Sequence, residues 1–88
     1  MSYMSESVIK DAIRVAQTAH EQYLSALIWE RVAEKESDYD AIESARVEKA
    51  EKKAFMNGAY TALDALGLEW EPSEVAGMLE ARLAELSK

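Results

Sequence analysis

The chain has 88 residues, a formal charge of −7 and no cysteine. This length predicts a single domain with a thin core, and the lack of cysteine excludes disulfide bonds, thiolate metal sites and a cysteine nucleophile. The negative charge disfavours nucleic acid and anionic lipid as partners, because both are themselves negatively charged.

The first predicted helix spans about residues 5–36. Ser5 or Ser7 can cap it, because a serine oxygen accepts a hydrogen bond from a free N–H of the first turn. Apolar side chains recur at steps of three and four residues, the period of one helix face. This seam is expected to form the core or a dimer interface, and its members are Ile9, Ile13, Ala16, His20, Tyr23 and Leu27.

A break is expected within residues 37–40, which hold three suitable helix caps: Ser37, Asp38 and Asp40. The alternative is one continuous helix, because neither proline nor glycine interrupts this segment. The second predicted helix spans about residues 39–66. Gly67 is expected to end it in a left-handed conformation.

The third predicted helix spans about residues 72–87. Pro72 is expected at its first position, where a missing N–H costs nothing. Glu74 then lies in the first turn, where the helix dipole favours an acid. Trp70 precedes this start and is expected to pack on Val75 as a hydrophobic staple.

These elements predict an all-α fold, in which a long antiparallel helical hairpin is joined to a short C-terminal helix. A hairpin of this length leaves part of each apolar stripe exposed, and the short third helix covers only one end. A second copy would bury the rest, so we expect a homodimer that forms a dimeric helical bundle. A monomeric three-helix bundle and a higher oligomer are the alternatives.

His20 is the only histidine. A helical metal site needs a glutamate three residues earlier, but Gln17 occupies that position, so a core histidine is expected and no metal ligand. No phosphate-binding glycine loop, nucleophile elbow or calcium loop occurs. We therefore expect no enzymatic activity, no metal and no cofactor.

Two charged helix faces stand out. One carries Glu30, Glu34 and Asp38 at four-residue steps and is expected to be solvated, with Arg31 and Lys35 interleaved. The other lies on the second helix and is the one place where nucleic acid could dock. Its members are Arg46, Lys49 and Lys53. Nearby acids are expected to offset this charge, with Glu43 placed to pair with Arg46 and Glu48 with Lys52.

Tryptophan is enriched at the energetic centres of protein interfaces, and acidic groups suit a basic partner. The residues expected to bind a protein partner, with a basic surface, are Trp29, Glu30, Glu34, Trp70, Glu71 and Glu74. The predicted function is therefore a non-enzymatic protein–protein interaction module, a small acidic adaptor or inhibitor. In size and acidity the chain resembles accessory proteins of phages and mobile elements, some of which block host nucleases or defence complexes.

Two other functions stay open at this point. One is a dimeric nucleic-acid accessory protein that uses the basic face of the second helix, and the other is a small-molecule or metal-binding bundle around His20. The longest apolar run, Ala26–Trp29, is far shorter than the roughly 20 residues of a membrane span. With no signal peptide recognisable, a cytoplasmic location is expected.

Overall fold

The computed structural model describes residues 5–88, which form three α-helices. Helix α1 spans Glu6–Glu36, α2 spans Tyr39–Ala65 and α3 spans Glu74–Leu86. No strand occurs in this part of the chain, which confirms the all-α prediction. None of these helices combines the length and the apolar character needed to cross a bilayer.

A tight turn between α1 and α2 shows that the helix does not continue through residues 37–40. Ser37 adopts the left-handed conformation, with φ of 56°, and its N–H donates to the carbonyl of Glu34 at 3.1 Å. Asp38 caps α2, because its carboxylate accepts a hydrogen bond from the Ala41 N–H at 3.1 Å. The chain therefore reverses at once, and α1 and α2 pack along each other as an antiparallel hairpin.

The end of α2 agrees with the predicted glycine cap. Gly67 has φ of 69°, a value that glycine adopts without steric cost. The Gly67 N–H donates to the Asp64 carbonyl and the Leu68 N–H donates to the Leu63 carbonyl, both at 3.0 Å. This pair of bonds satisfies carbonyls that the last helical turn would otherwise leave free.

The start of α3 differs from the prediction. Ser73 is the N-cap, and its hydroxyl accepts a hydrogen bond from the Ala76 N–H at 3.1 Å. Pro72 therefore lies before the helix, and its predicted place at the first helical position is wrong. The physical reason is that a serine oxygen can satisfy a free N–H of the first turn, which proline cannot do. Glu74 lies in the first turn, as predicted.

Helix α1 lies at the centre of the arrangement. It packs against both α2 and α3, whereas no Cα atoms of α2 and α3 lie within 8 Å of each other in the described chain. The result is elongated and thin, with extents of 55 × 23 × 16 Å. Its radius of gyration is 15.4 Å, against about 12 Å for a compact domain of this length.

The core is built largely from alanine. Methyl side chains allow the helices to approach closely, but each removes little apolar area from water. The buried apolar residues are Ala16, Ala19, Leu24, Ala26, Ala33, Ala45, Met56, Leu63 and Ala76. The predicted seam of α1 contributes Ala16, which is fully buried, and its other members are half-buried. The single chain therefore already uses that seam as part of its core.

Candidate protein-interaction surface

A groove follows the face of α1 that lies between α2 and α3, and it encloses about 530 Å³. We call it the α1 groove. Trp29 and several small or polar residues of α1 line it, with two charged residues of α2 and two apolar residues of α3 on its sides. These residues are Thr18, Glu21, Gln22, Ser25, Ala26, Trp29, Glu48, Lys52, Val75 and Leu79. The Cα atoms of α2 and α3 stay more than 8 Å apart in the described chain, and Thr18, Gln22, Ser25 and Trp29 on this face of α1 are exposed.

Both ends of the α1 groove carry exposed apolar side chains. Val15 and Phe55 lie at one end, beside Arg14, on a surface that shares Thr18 and Gln22 with the groove. Trp29 and Val47 lie at the other end. These four apolar residues are between 38% and 56% exposed. Exposed apolar side chains therefore border the α1 groove at both of its ends.

Four carboxylates surround Trp29 and Val47, and we call this region the acidic end of the groove. They belong to α2 and are Asp40, Glu43, Glu48 and Glu51. No cationic nitrogen lies within 4.0 Å of any of the four in residues 5–88. Their negative charge is therefore available to a basic group that approaches from outside.

Glu30 is buried, although the sequence predicted that it lies on a solvated face. Only 8% of the residue is exposed, and its carboxylate accepts hydrogen bonds from the Lys49 ammonium at 3.1 and 2.9 Å. The guanidinium Nε of Arg46 lies 3.6 Å away. The prediction that Glu30 is solvated is therefore wrong, because the hairpin turns this side of α1 towards α2. Glu34 and Asp38 are exposed, as expected.

The predicted basic face of α2 is changed by the same contact. Arg46 and Lys49 direct their charge at Glu30 across the hairpin, instead of pairing along α2. The expected pairs from Glu43 to Arg46 and from Glu48 to Lys52 do not form in the described chain. Of the three residues, Lys53 alone is exposed with no carboxylate nearby in residues 5–88. The nucleic-acid alternative thus stays a prediction, with less free charge than the sequence indicated.

An aromatic cluster on another side of α1 holds the α2–α3 connection in place. The ring of Trp70 lies 5.0 Å from that of Tyr60 and 6.3 Å from that of His20. His20 Nε2 lies 3.8 Å from a Glu80 carboxylate oxygen, and its buried Nδ1 has no hydrogen-bond partner among residues 5–88. Burial raises the pKa of Tyr60 above its ordinary value of 10.0, and the charge of Glu80 raises it further. Trp70 therefore packs on the core, the place that the sequence favoured for it, and its role in partner binding stays a prediction.

The connection is fixed to α1 by two further hydrogen bonds. The side-chain amide of Gln17 donates to the backbone carbonyl of Glu71 at 2.8 Å. The hydroxyl of Ser73 donates to a carboxylate oxygen of Glu21 at 3.1 Å. Glu71 and Glu74 are exposed. Residues 5–88 contain no group of three histidine, aspartate or glutamate side chains arranged to hold a metal ion.

Of the predicted partner-binding residues, the structure places only Trp29 on the α1 groove. Their roles in binding stay predictions. Val15 and Gln22 were not among the predicted site residues, although Val15, Gln22 and Trp29 lie at steps of seven residues and so share one helix face. Tyr60 and Glu80 lie on different helices, α2 and α3, and no local sequence pattern relates them. Comparison with protein families, curated proteins and solved structures gives no match for this chain.

Proposed function

We propose that the chain is a non-enzymatic protein-interaction module that acts in the cytoplasm as a small acidic adaptor or inhibitor. The observation that carries this proposal is the α1 groove, where Trp29 and Val47 are exposed among unpaired carboxylates. Exposed apolar side chains rimmed by polar residues are typical of interaction sites, and tryptophan is a frequent energetic centre of them. The binding face is therefore the side of α1 that α2 and α3 leave open.

The total surface supports the same proposal. The chain exposes 6230 Å², whereas a monomeric protein of 9.8 kDa exposes about 5,200 Å². The surplus is about 1,000 Å², which is comparable to the roughly 800 Å² that each partner buries in a stable interface. This elongated chain with an alanine-rich core therefore exposes enough additional surface to form an interface with a partner.

Charge favours a partner with a basic surface. The chain carries a net charge of −7, and the acidic end of the groove adds a local concentration of negative charge beside Trp29. Proteins that bind nucleic acid present basic surfaces to phosphate, so an acidic protein can occupy them instead. This supports the proposed role of a phage or mobile-element accessory protein that blocks a host nuclease or defence complex.

The test is quantitative affinity capture from a lysate of the organism that produces the protein, treated with nuclease. Tagged wild type is compared with Trp29→Ala and with Tyr39→Ala, an aromatic control that is 80% exposed and does not line the groove. A stoichiometric protein partner should be lost with Trp29→Ala and kept with Tyr39→Ala. Equal capture by all three proteins, or no stoichiometric partner at all, would contradict the proposal.

Self-association is the second candidate for the same face. The surplus surface is enough for a homodimer, and a second copy laid on the α1 groove would give the dimeric helical bundle expected from the sequence. Sedimentation equilibrium over a hundredfold range of concentration tests this candidate. A mass of twice 9.8 kDa that falls to one chain with Trp29→Lys would support the dimer. A single-chain mass throughout would exclude it.

A further inference from the structure

We propose that the α1 groove receives an amphipathic α-helix of the partner, whose lysine and arginine residues lie over the acidic end. This inference rests on the proposed function and specifies the chemistry of the partner. It is carried by the shape of the groove, by the position of its apolar residues and by the difference in charge between its two ends.

The shape of the groove suits a helix. Helices α2 and α3 flank α1 with their Cα atoms more than 8 Å apart, so a fourth helix laid on α1 between them would complete a four-helix arrangement. Val15 and Trp29 mark the two ends and are fourteen residues apart on α1. A distance of about 21 Å separates them at 1.5 Å per residue, so a partner helix of about four turns spans the groove.

The apolar residues lie where one face of such a helix would meet them. Val15 and Phe55 lie at one end, Trp29 at the other, and Leu79 on the side formed by α3. Between them α1 offers only small or polar side chains. A partner helix with apolar residues at steps of three and four would place them against both ends, as in other complexes of a helix in a groove.

The opposite charges at the two ends of the groove favour one orientation of the bound helix. At the acidic end, Asp40, Glu43 and Glu51 can accept hydrogen bonds from lysine or arginine, and the exposed face of Trp29 can receive a cation. At the other end Arg14 borders the groove, and lysine or arginine there would be repelled. The basic residues of the partner helix therefore cluster towards one end.

The same charges disfavour a second copy as the occupant. A second copy would bring its own net charge of −7 to a face that already holds four unpaired carboxylates. Like charges brought together across an interface weaken association. A basic helix gains from these carboxylates instead, so the groove favours a different protein over a second copy of this chain.

The test uses two synthetic peptides of about four helical turns. One has leucine on one face and lysine on the flanks near one end, and the other has glutamate in place of every lysine. Binding to the full chain is measured by isothermal titration calorimetry. We expect the lysine peptide to bind at least about tenfold more tightly than the glutamate peptide. Equal affinities would overturn the proposed charge selection.

Matched variants distinguish the groove from general attraction to an acidic protein. Glu43→Gln combined with Glu51→Gln should weaken the lysine peptide about tenfold. Glu69→Gln combined with Glu71→Gln removes the same charge outside the groove and should change the affinity less than about twofold. Equal losses from both pairs would overturn the proposed site. Circular dichroism and thermal melting check that each variant is folded.

The cysteine-free chain allows the site to be mapped directly. Ser25→Cys places one thiol in the groove, and Asn57→Cys places one at an exposed position of α2 outside it. The lysine peptide should slow alkylation at position 25 and leave position 57 unchanged. Unchanged alkylation at position 25 would overturn the inference, and so would a dimer of the free chain that Trp29→Lys dissociates.

The inference and the proposed function can fail separately. If neither peptide binds while capture of a protein partner still depends on Trp29, the groove is a binding face but its occupant is not a basic helix. If the lysine peptide binds in the groove while lysate yields no partner that depends on Trp29, the helix inference holds and the adaptor or inhibitor role falls.

Discussion

The Glu30 carboxylate on α1 accepts hydrogen bonds from the Lys49 ammonium on α2 through both of its oxygens, at 3.1 and 2.9 Å. The two side chains are 10% and 32% exposed, so the pair is partly removed from water. Charged hydrogen bonds of this kind stabilise more than exposed ion pairs, and the loss of one partner leaves the other without compensation. This contact ties the middle of the hairpin together.

The first prediction concerns that pair. Glu30→Ala and Lys49→Ala should each lower the free energy of unfolding by about 1–3 kcal/mol, because each removes the charged hydrogen bonds of a partly buried group. The double variant should lose less than the sum of the two, with a coupling energy of at least about 0.5 kcal/mol. Urea denaturation of the four proteins measures this cycle. Lys10→Ala, which breaks an exposed pair with Glu6, is the control and should cost less than about 0.5 kcal/mol. Additive effects of the first two changes would show that the pair is not coupled.

The second prediction concerns the turn between α1 and α2. Ser37 is the one residue other than glycine with positive φ in residues 5–88. Ser37→Gly should raise the free energy of unfolding by about 0.5–1 kcal/mol, because glycine adopts this conformation without the steric cost that a Cβ imposes. Ser25→Gly, at an exposed position inside α1, should lower it by about 0.5 kcal/mol. Thermal melting that shifts in the same direction for both variants would contradict this account of the turn.

The third prediction concerns alkaline pH. The pKa of Tyr60 is raised, first by burial and then by the charge of Glu80, so its phenol holds its proton more tightly in the folded chain than in the unfolded chain. Below pH 10 the phenol is protonated in both states. As the pH rises above 10 the unfolded chain releases this proton first, and the folded state loses stability up to the folded pKa. Tyr60→Phe should therefore lose less stability than wild type in this range. Tyr39→Phe removes an exposed phenol. Urea denaturation at each pH should give it the same pH dependence of the free energy of unfolding as wild type.

The fourth prediction concerns the start of α3. The Ser73 hydroxyl accepts a hydrogen bond from the Ala76 N–H and donates one to Glu21, so it caps α3 and links it to α1. Ser73→Ala should lower the free energy of unfolding by about 1–2 kcal/mol, and Ser73→Thr should restore most of it. Ser87→Ala removes an exposed hydroxyl at the end of α3 and should cost less than about 0.5 kcal/mol. If Ser73→Ala lowers the free energy of unfolding no more than Ser87→Ala does, Ser73 does not hold α3 in place.

The helices follow from local features of the sequence. Ser5 caps α1, Asp38 caps α2 and Gly67 ends α2, and each acts on groups within a few residues of itself in the chain. The period of the apolar residues adds the helical faces. At the start of α3 two local signals, Pro72 and Ser73, compete, and the side-chain oxygen of Ser73 sets the boundary.

What only the tertiary structure decides is which side of α1 each neighbour covers. Glu30 and Glu34 look alike in the sequence, yet α2 covers the first and leaves the second exposed. Trp29 and Trp70 both suit an interface, but Trp70 packs on His20 and Tyr60 while Trp29 lies on the open groove. The sequence by itself determined three helices and most of their ends, because caps and periodicity act over a few residues. The groove and the burial of Glu30 depend on how distant helices pack around α1, and no short-range signal encodes that packing.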